Sequence, residues 1–219
     1  MNETREAPNA DLLNAAIDLF GRSGFEGAST RAIASACDKP MSAITYHFGG
    51  KQGLYLACAR HIAEILGERI QPVLNGIDAL DALGAPREEI ETALLPLLEA
   101  GVAIVTDPRL DTVAMFMLRE QAAPTEAFDV LYEGVMNPLL TSIAGLLVAA
   151  ANPPIDPERA RVLAVMLMGQ ILMFRTCRAT AMRFSGWEAI GAEEKHQLAA
   201  AARVHLSAVL RSLNTGEHA

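Results

Sequence analysis

Residues 29–55 read STRAIASACDKPMSAITYHFGGKQGLY, two short helical segments hinged at a proline and stopped by a pair of glycines. Ser29 or Thr30 can cap the first segment, which runs to about Cys37 with Ile33 and Ala36 on its inner side. Asp38-Lys39-Pro40 forms a turn. Proline is excluded from a helix interior, so the next helix starts near Met41 and ends before Gly49-Gly50. Upstream, Asn9 to Ser23 reads as a longer helix: Asn9 caps it, and Leu13, Ile17 and Phe20 recur at helical spacing beside Leu12, Ala16 and Leu19. Gly21 and Gly24 end that helix, and Phe25 folds back toward the core. Two short helices joined tightly after a longer one make a helix-turn-helix unit, which holds its second helix at an angle suited to a DNA major groove.

The chemistry of the segment agrees with that geometry. Its second helix ends in Thr45, Tyr46 and His47, which can donate hydrogen bonds or lie against sugars and bases. Two glycines and Lys51 follow at the start of a new helix, where free backbone N–H groups and an ammonium form a clamp for phosphate. Phe48 is expected in the core. His47 has two open readings, a DNA contact or a cationic partner for the helix C-terminus. Gly49-Gly50-Lys51 lacks the rest of a nucleotide phosphate loop, and neither a nucleophile elbow nor a dinucleotide fingerprint is present. An enzyme is not expected, and no cofactor or metal is implied.

Composition bounds the rest. Half the chain is apolar and only 5% is aromatic, which favours packed helices and a large subunit interface. The net charge of -8 is uneven: residues 1–70 carry -1 and the remainder -7. An acidic body behind a near-neutral head suits a DNA binder that places a few cations well. Cys37, Cys58 and Cys177 have no metal-ligand or disulfide spacing and read as reduced thiols. Glu3, Arg5 and Glu6 break any signal-peptide core, and the apolar run 162–174 is too short for a span of roughly 20 residues. A cytoplasmic protein with no membrane partner is expected.

Beyond the head, a helix runs from Lys51 toward Pro72, followed by a loop over 75–86. Further helices are expected at about 87–106, 109–122, 125–150, 156–184 and 187–213, punctuated by Pro108, Pro124, Pro153-Pro154 and Ser185-Gly186. No segment alternates with period two. The expected fold is all-α: a three-helix DNA-binding head over 1–55 and a larger ligand-binding and dimerisation body over 56–219, about nine helices. Methionine-rich runs at 115–117 and 162–174 are either core or the adaptable wall of a ligand site. On the second reading Phe116, Arg119, Gln170, Met173 and Phe174 contact a small, largely apolar effector. The alternative for Arg119, Gln170 and Arg175 is bridging between helices or subunits.

The run Ile44-Thr45-Tyr46-His47-Phe48-Gly49-Gly50-Lys51, then Leu54-Tyr55, resembles the signature that closes the head of tetracycline-repressor (TetR) family regulators. Thr30-Arg31-Ala32-Ile33-Ala34 and Leu19-Phe20 with Gly24-Phe25 match in order and spacing, so the resemblance covers about residues 10–57. It implies phosphate contacts from Thr30, Tyr46, His47 and Lys51, and groove contacts from Arg31, Met41, Ser42, Ala43 and Thr45. It further implies a homodimer built through the last two long helices, which binds a two-fold symmetric double-stranded operator. Such a protein is expected to act as a repressor released by a small-molecule effector. The turn departs from the family pattern, with Asp38-Lys39 where glycine and an apolar residue are usual. Aspartate tolerates a left-handed conformation, so the turn is expected to survive.

Overall fold

The computed structural model describes residues 10–80 and 84–213; the expected Asn9 cap lies outside them. Every regular element among these residues is helical. The chain divides into two compact units, residues 10–66 with 109–135 and residues 67–108 with 136–213.

In the first unit α1 (Ala10–Gly27) buries Leu12, Ala16, Ile17 and Phe20, the face set by its apolar spacing. Gly21 does not end this helix. A Cβ there would lie 2.6 Å from the Thr112 carbonyl oxygen, so its bare backbone admits α6 (Asp111–Ala122). The break comes at Gly24, whose backbone is non-helical. Next come α2 (Thr30–Ala36), α3 (Met41–Phe48) and the start of α4 (Lys51–Asp78), which buries Leu54, Tyr55, Cys58, Ala59 and Ile62. Phe20, Phe25, Tyr55 and Phe116 form one aromatic cluster, with Tyr55 edge-on to Phe20 at 4.9 Å and stacked on Phe116 at 4.6 Å. The Tyr55 hydroxyl donates to Glu120 Oε1 at 2.6 Å, while Glu120 Oε2 accepts from Thr125 N and Oγ1, the residue that caps α7 (Glu126–Leu131).

The second unit contains the rest of α4, α5 (Arg87–Val105), α8 (Asn137–Ala150), α9 (Pro157–Thr176), α10 (Arg178–Ser185) and α11 (Ala192–Ser212). Leu198, Ala202, Leu206 and Leu210 repeat every four residues along α11 and face α5 and α9. Asp107 closes the end of α5: its carboxylate pairs with Arg69 at 2.9 Å, and its carbonyl accepts from Arg175 at 2.7 Å. Arg175 therefore ties α9 to that corner.

Besides the end of α1, four element boundaries differ from the sequence reading. α4 continues through Pro72 to Asp78, because Ile70, Leu74 and Ile77 extend its buried stripe and hold it against the lost hydrogen bond. The expected helix at 125–150 is interrupted by a wide turn, Tyr132–Met136, just before Pro138, which has no N–H to continue the ladder. The helix expected at 156–184 bends by 85° after Thr176. Nothing on α10 is buried, so no packing keeps it collinear with α9, and Trp187 turns back to stack on Phe174. The last helix begins at Ala192, where Glu194 Oε2 accepts from Gly191 N at 2.8 Å. The segment Glu126–Ala150 is long and apolar enough to cross a bilayer. It carries Glu126, Asp129 and Glu133, and its α8 portion buries Leu139, Ile143, Leu146 and Leu147 inside the second unit, as a core helix does.

Candidate nucleic-acid interface

Ser29 has extended backbone, and its Oγ accepts from Ala32 N at 3.1 Å, so one of the two expected caps starts α2. Ile33 and Ala34 are buried; Arg31 on the other side is exposed. Lys39 N returns to the Ala34 carbonyl at 2.9 Å, a closure that requires the left-handed conformation at Asp38 (φ 52°). The non-glycine turn thus holds. Pro40 then precedes α3, and its carbonyl accepts from Ala43 N at 2.9 Å.

Ile44 is the fully buried residue of α3, at 1% exposure. Met41, Ser42, Thr45, Tyr46 and His47 all point to solvent, and Tyr46 is 85% exposed. A phenol that open gains nothing from burial, so packing does not account for it. The Tyr46 and His47 rings meet edge to face at 4.9 Å. Ala43 and Thr30 are half-buried, as is Phe48, which sits less deeply than expected for a core residue.

Gly49 ends α3 in the left-handed conformation, its N–H bonded to Thr45 O at 3.0 Å. α4 restarts at once, and the two helices approach so closely that a Cβ on Gly53 would lie 1.7 Å from Phe48 O. Sequence reasoning passed over Gly53. The signal was there: a glycine in the first turn of a long helix costs roughly 1 kcal/mol and needs a steric reason. Leu54 N bonds Gly50 O at 3.0 Å, which leaves the first N–H groups of α4 outside its ladder. Lys51 stands among them, its ammonium 4.5 Å above the Phe25 ring centre and 3.5 Å from the Glu26 carbonyl. A cation and a helix N-terminus therefore share one corner with the exposed face of α3.

The five residues considered for a ligand fall in different surroundings. Phe116 is fully buried in the aromatic cluster of the first unit. Arg119 donates to Gly21 O at 2.9 Å and to Arg22 O at 2.7 Å, serving the carbonyls exposed where α1 breaks. In the second unit Gln170 and Phe174 line a cavity of about 210 Å³, together with Val102, Ile171, Leu198, Ala202 and His205. Met173 is 47% exposed and lies outside that lining.

A three-helix head whose third helix is held outward by one buried side chain, beside a cationic helix start, defines a helix-turn-helix DNA-binding regulator. Residues 12–58 match the family described as bacterial regulatory proteins, tetR family. Residues 86–213 match the C-terminal domain of the HTH-type transcriptional dual regulator CecR. The chain belongs to the TetR family of bacterial transcriptional regulators, with a CecR-type C-terminal domain. It is 31% identical over 210 residues to the dual regulator CecR of Shigella flexneri, covering 95% of this chain and 94% of that one. Among solved structures, a TetR-like transcriptional regulator from Rhodococcus sp. RHA1 superposes with a TM-score of 0.61 at 21% identity, over 96% of this chain and 97% of the other. AibR in complex with isovaleryl coenzyme A and operator DNA does so with a TM-score of 0.64 at 18% identity, over 89% and 95%.

Proposed function

We propose that the protein is a cytoplasmic, effector-released repressor that binds a two-fold symmetric operator as a homodimer, with residues 1–55 as the DNA-binding domain and 56–219 as the ligand-binding and dimerisation domain. The observation that carries the DNA reading is the outward face of α3, which packing does not use. Arg31, Met41, Ser42, Ala43 and Thr45 meet the groove; Thr30, Tyr46, His47 and Lys51 meet phosphates on either side of it. One such helix reads only a few base pairs, so a specific site needs two copies.

The dimer reading is supported by α9, where Val162, Val165, Met166 and Met173 form an apolar stripe at helical spacing, 47–67% exposed, with Val204 exposed on α11. A contiguous apolar face of this kind marks a partner surface. Met173 belongs to that stripe in this reading, while Gln170 and Phe174 serve the effector, and Phe116 and Arg119 are structural. α4 runs unbroken from the phosphate clamp past residue 66, so an effector that shifts it changes the spacing of two recognition helices from the roughly 34 Å of successive major grooves. The effector acts only if it binds the DNA-incompetent state better than the competent one.

Fluorescence anisotropy on the DNA upstream of its gene, beside sedimentation of the same sample, tests both halves. Salt-sensitive specific binding by a species of twice the chain mass is expected. A monomer at micromolar concentration would remove the dimer, and equal affinity for random DNA would remove the operator.

A further inference from the structure

α3 reads MSAITYHF and contains no Arg, Lys, Asn, Gln, Asp or Glu. Those are the side chains that hold a base edge by strong directed bonds: Arg or Lys on guanine, Asn or Gln on adenine, Asp or Glu on cytosine. The helix that stands clear of the head therefore lacks the ordinary means of choosing any of those bases.

What it offers instead is apolar or hydroxylic. Met41 opens the helix and is 57% exposed. Thr45 follows one turn later on the same side, also exposed, with Ser42 exposed beside them and the methyl of Ala43 half-buried. The N-terminal residues of a recognition helix are the ones that reach base edges, which puts Met41 at the bases and leaves Tyr46 and His47 nearer the backbone. A hydroxyl bonds any base and discriminates little; a thioether donates nothing and accepts weakly. Pressed on a polar base edge, Met41 would strip water from it and return no bond. The major groove contains one apolar group suited to such a side chain, the 5-methyl of thymine.

We infer that α3 selects its operator through thymine methyl groups, with Met41 as their principal contact and Thr45 next to it. The inference rests on the reading of α3 as groove-facing and adds the class of base that it prefers: each half-site carries thymine where α3 begins. Any strong preference for guanine then comes from outside α3, and Arg31, exposed in the first turn of α2, is the groove residue equipped for it.

The test starts by selecting tight-binding duplexes from a random pool with the full chain, then replaces each thymine in turn by deoxyuridine. That exchange deletes the methyl and keeps every hydrogen-bonding group. Anisotropy should show affinity falling about fourfold at a thymine under the start of α3, the worth of one methyl losing an apolar contact. Met41→Ala should remove most of that sensitivity while affinity for random DNA and the salt slope stay unchanged, which also shows the head intact. A selected duplex that tolerates deoxyuridine at every position overturns the inference and leaves the groove-facing reading standing. So does a methyl sensitivity undiminished in Met41→Ala, because the contact then lies elsewhere. If the pool yields no preferred duplex, the groove-facing reading itself fails and the inference goes with it.

Discussion

Replacing Tyr55 by phenylalanine isolates one buried hydrogen bond. The ring is gripped by Phe20, Phe25 and Phe116, with centroids 4.6 to 5.1 Å away, and phenylalanine keeps all of that packing. What disappears is the hydroxyl, 2.6 Å from Glu120 Oε1 on a side chain only 2% exposed. Burial, then the bond to Glu120 and its charge, raise the phenol well above its ordinary pKa, so it stays a donor at any working pH. A hydrogen bond to a charged group contributes about 1.5–3 kcal/mol, and here the acceptor cannot turn to bulk water. The expected loss is about 2 kcal/mol, or a fall in Tm of about 4–8 °C for a chain of this size. Urea unfolding followed by far-UV circular dichroism should show a lower midpoint with an unchanged slope. A double-mutant cycle with Glu120→Gln should return a coupling of about 1 kcal/mol or more. A Tyr55→Phe protein within about 0.5 kcal/mol of the parent, the range of an ordinary surface change, would refute the reasoning.

Gly53→Ala pushes a methyl group to within 1.7 Å of Phe48 O, so α3 must move off α4; head stability should fall by about 3 kcal/mol and operator binding should drop with it. Hydrogen exchange confined to residues 30–60 checks this, and unchanged protection there contradicts it. Lys51→Ala should weaken operator and random DNA alike and lower the log K against log salt slope by about 1. Thr45→Ala should cost about 1–2 kcal/mol on the operator alone. A salt titration on two duplexes separates these, and the reverse pattern would mean that the recognition helix is misplaced. Burial pushes the Cys58 thiol up to about 12, so at pH 8 it should ignore a thiol reagent that labels exposed Cys177 within minutes. Mass spectrometry reads the sites, and early labelling of Cys58 in folded protein contradicts the burial.

The head was legible because its signals are local. A cap at Ser29, a proline at 40 and glycines at 49 and 50 each dictate backbone within a turn of themselves, and the left-handed Asp38 followed from residue chemistry. Misreadings arose where a distant element decides. Gly21 looked like a stop and is a contact surface for α6, 91 residues further along the chain at Thr112. Pro72 looked like an end, yet buried Ile70, Leu74 and Ile77 carry the helix past it. Phe116 and Arg119 were left between two readings, and their partners from α1 and α4, in keeping with the bridging alternative given for Arg119, are ones that no spacing rule connects to them. Nor does periodicity distinguish the Gln170 side of α9, which lines a cavity, from its Met166 side, which faces outward.

The one-sided anchoring of α3 has a consequence for descent. Since Ile44, with half-buried Ala43 and Phe48, holds the helix, while Met41, Ser42, Thr45 and Tyr46 stand clear of the packing, changes at those four positions are nearly free of folding cost. A duplicated copy of such a gene can drift toward a new DNA address one residue at a time without passing through an unstable protein. Divergence of this kind leaves the scaffold recognisable and the reading face unconstrained.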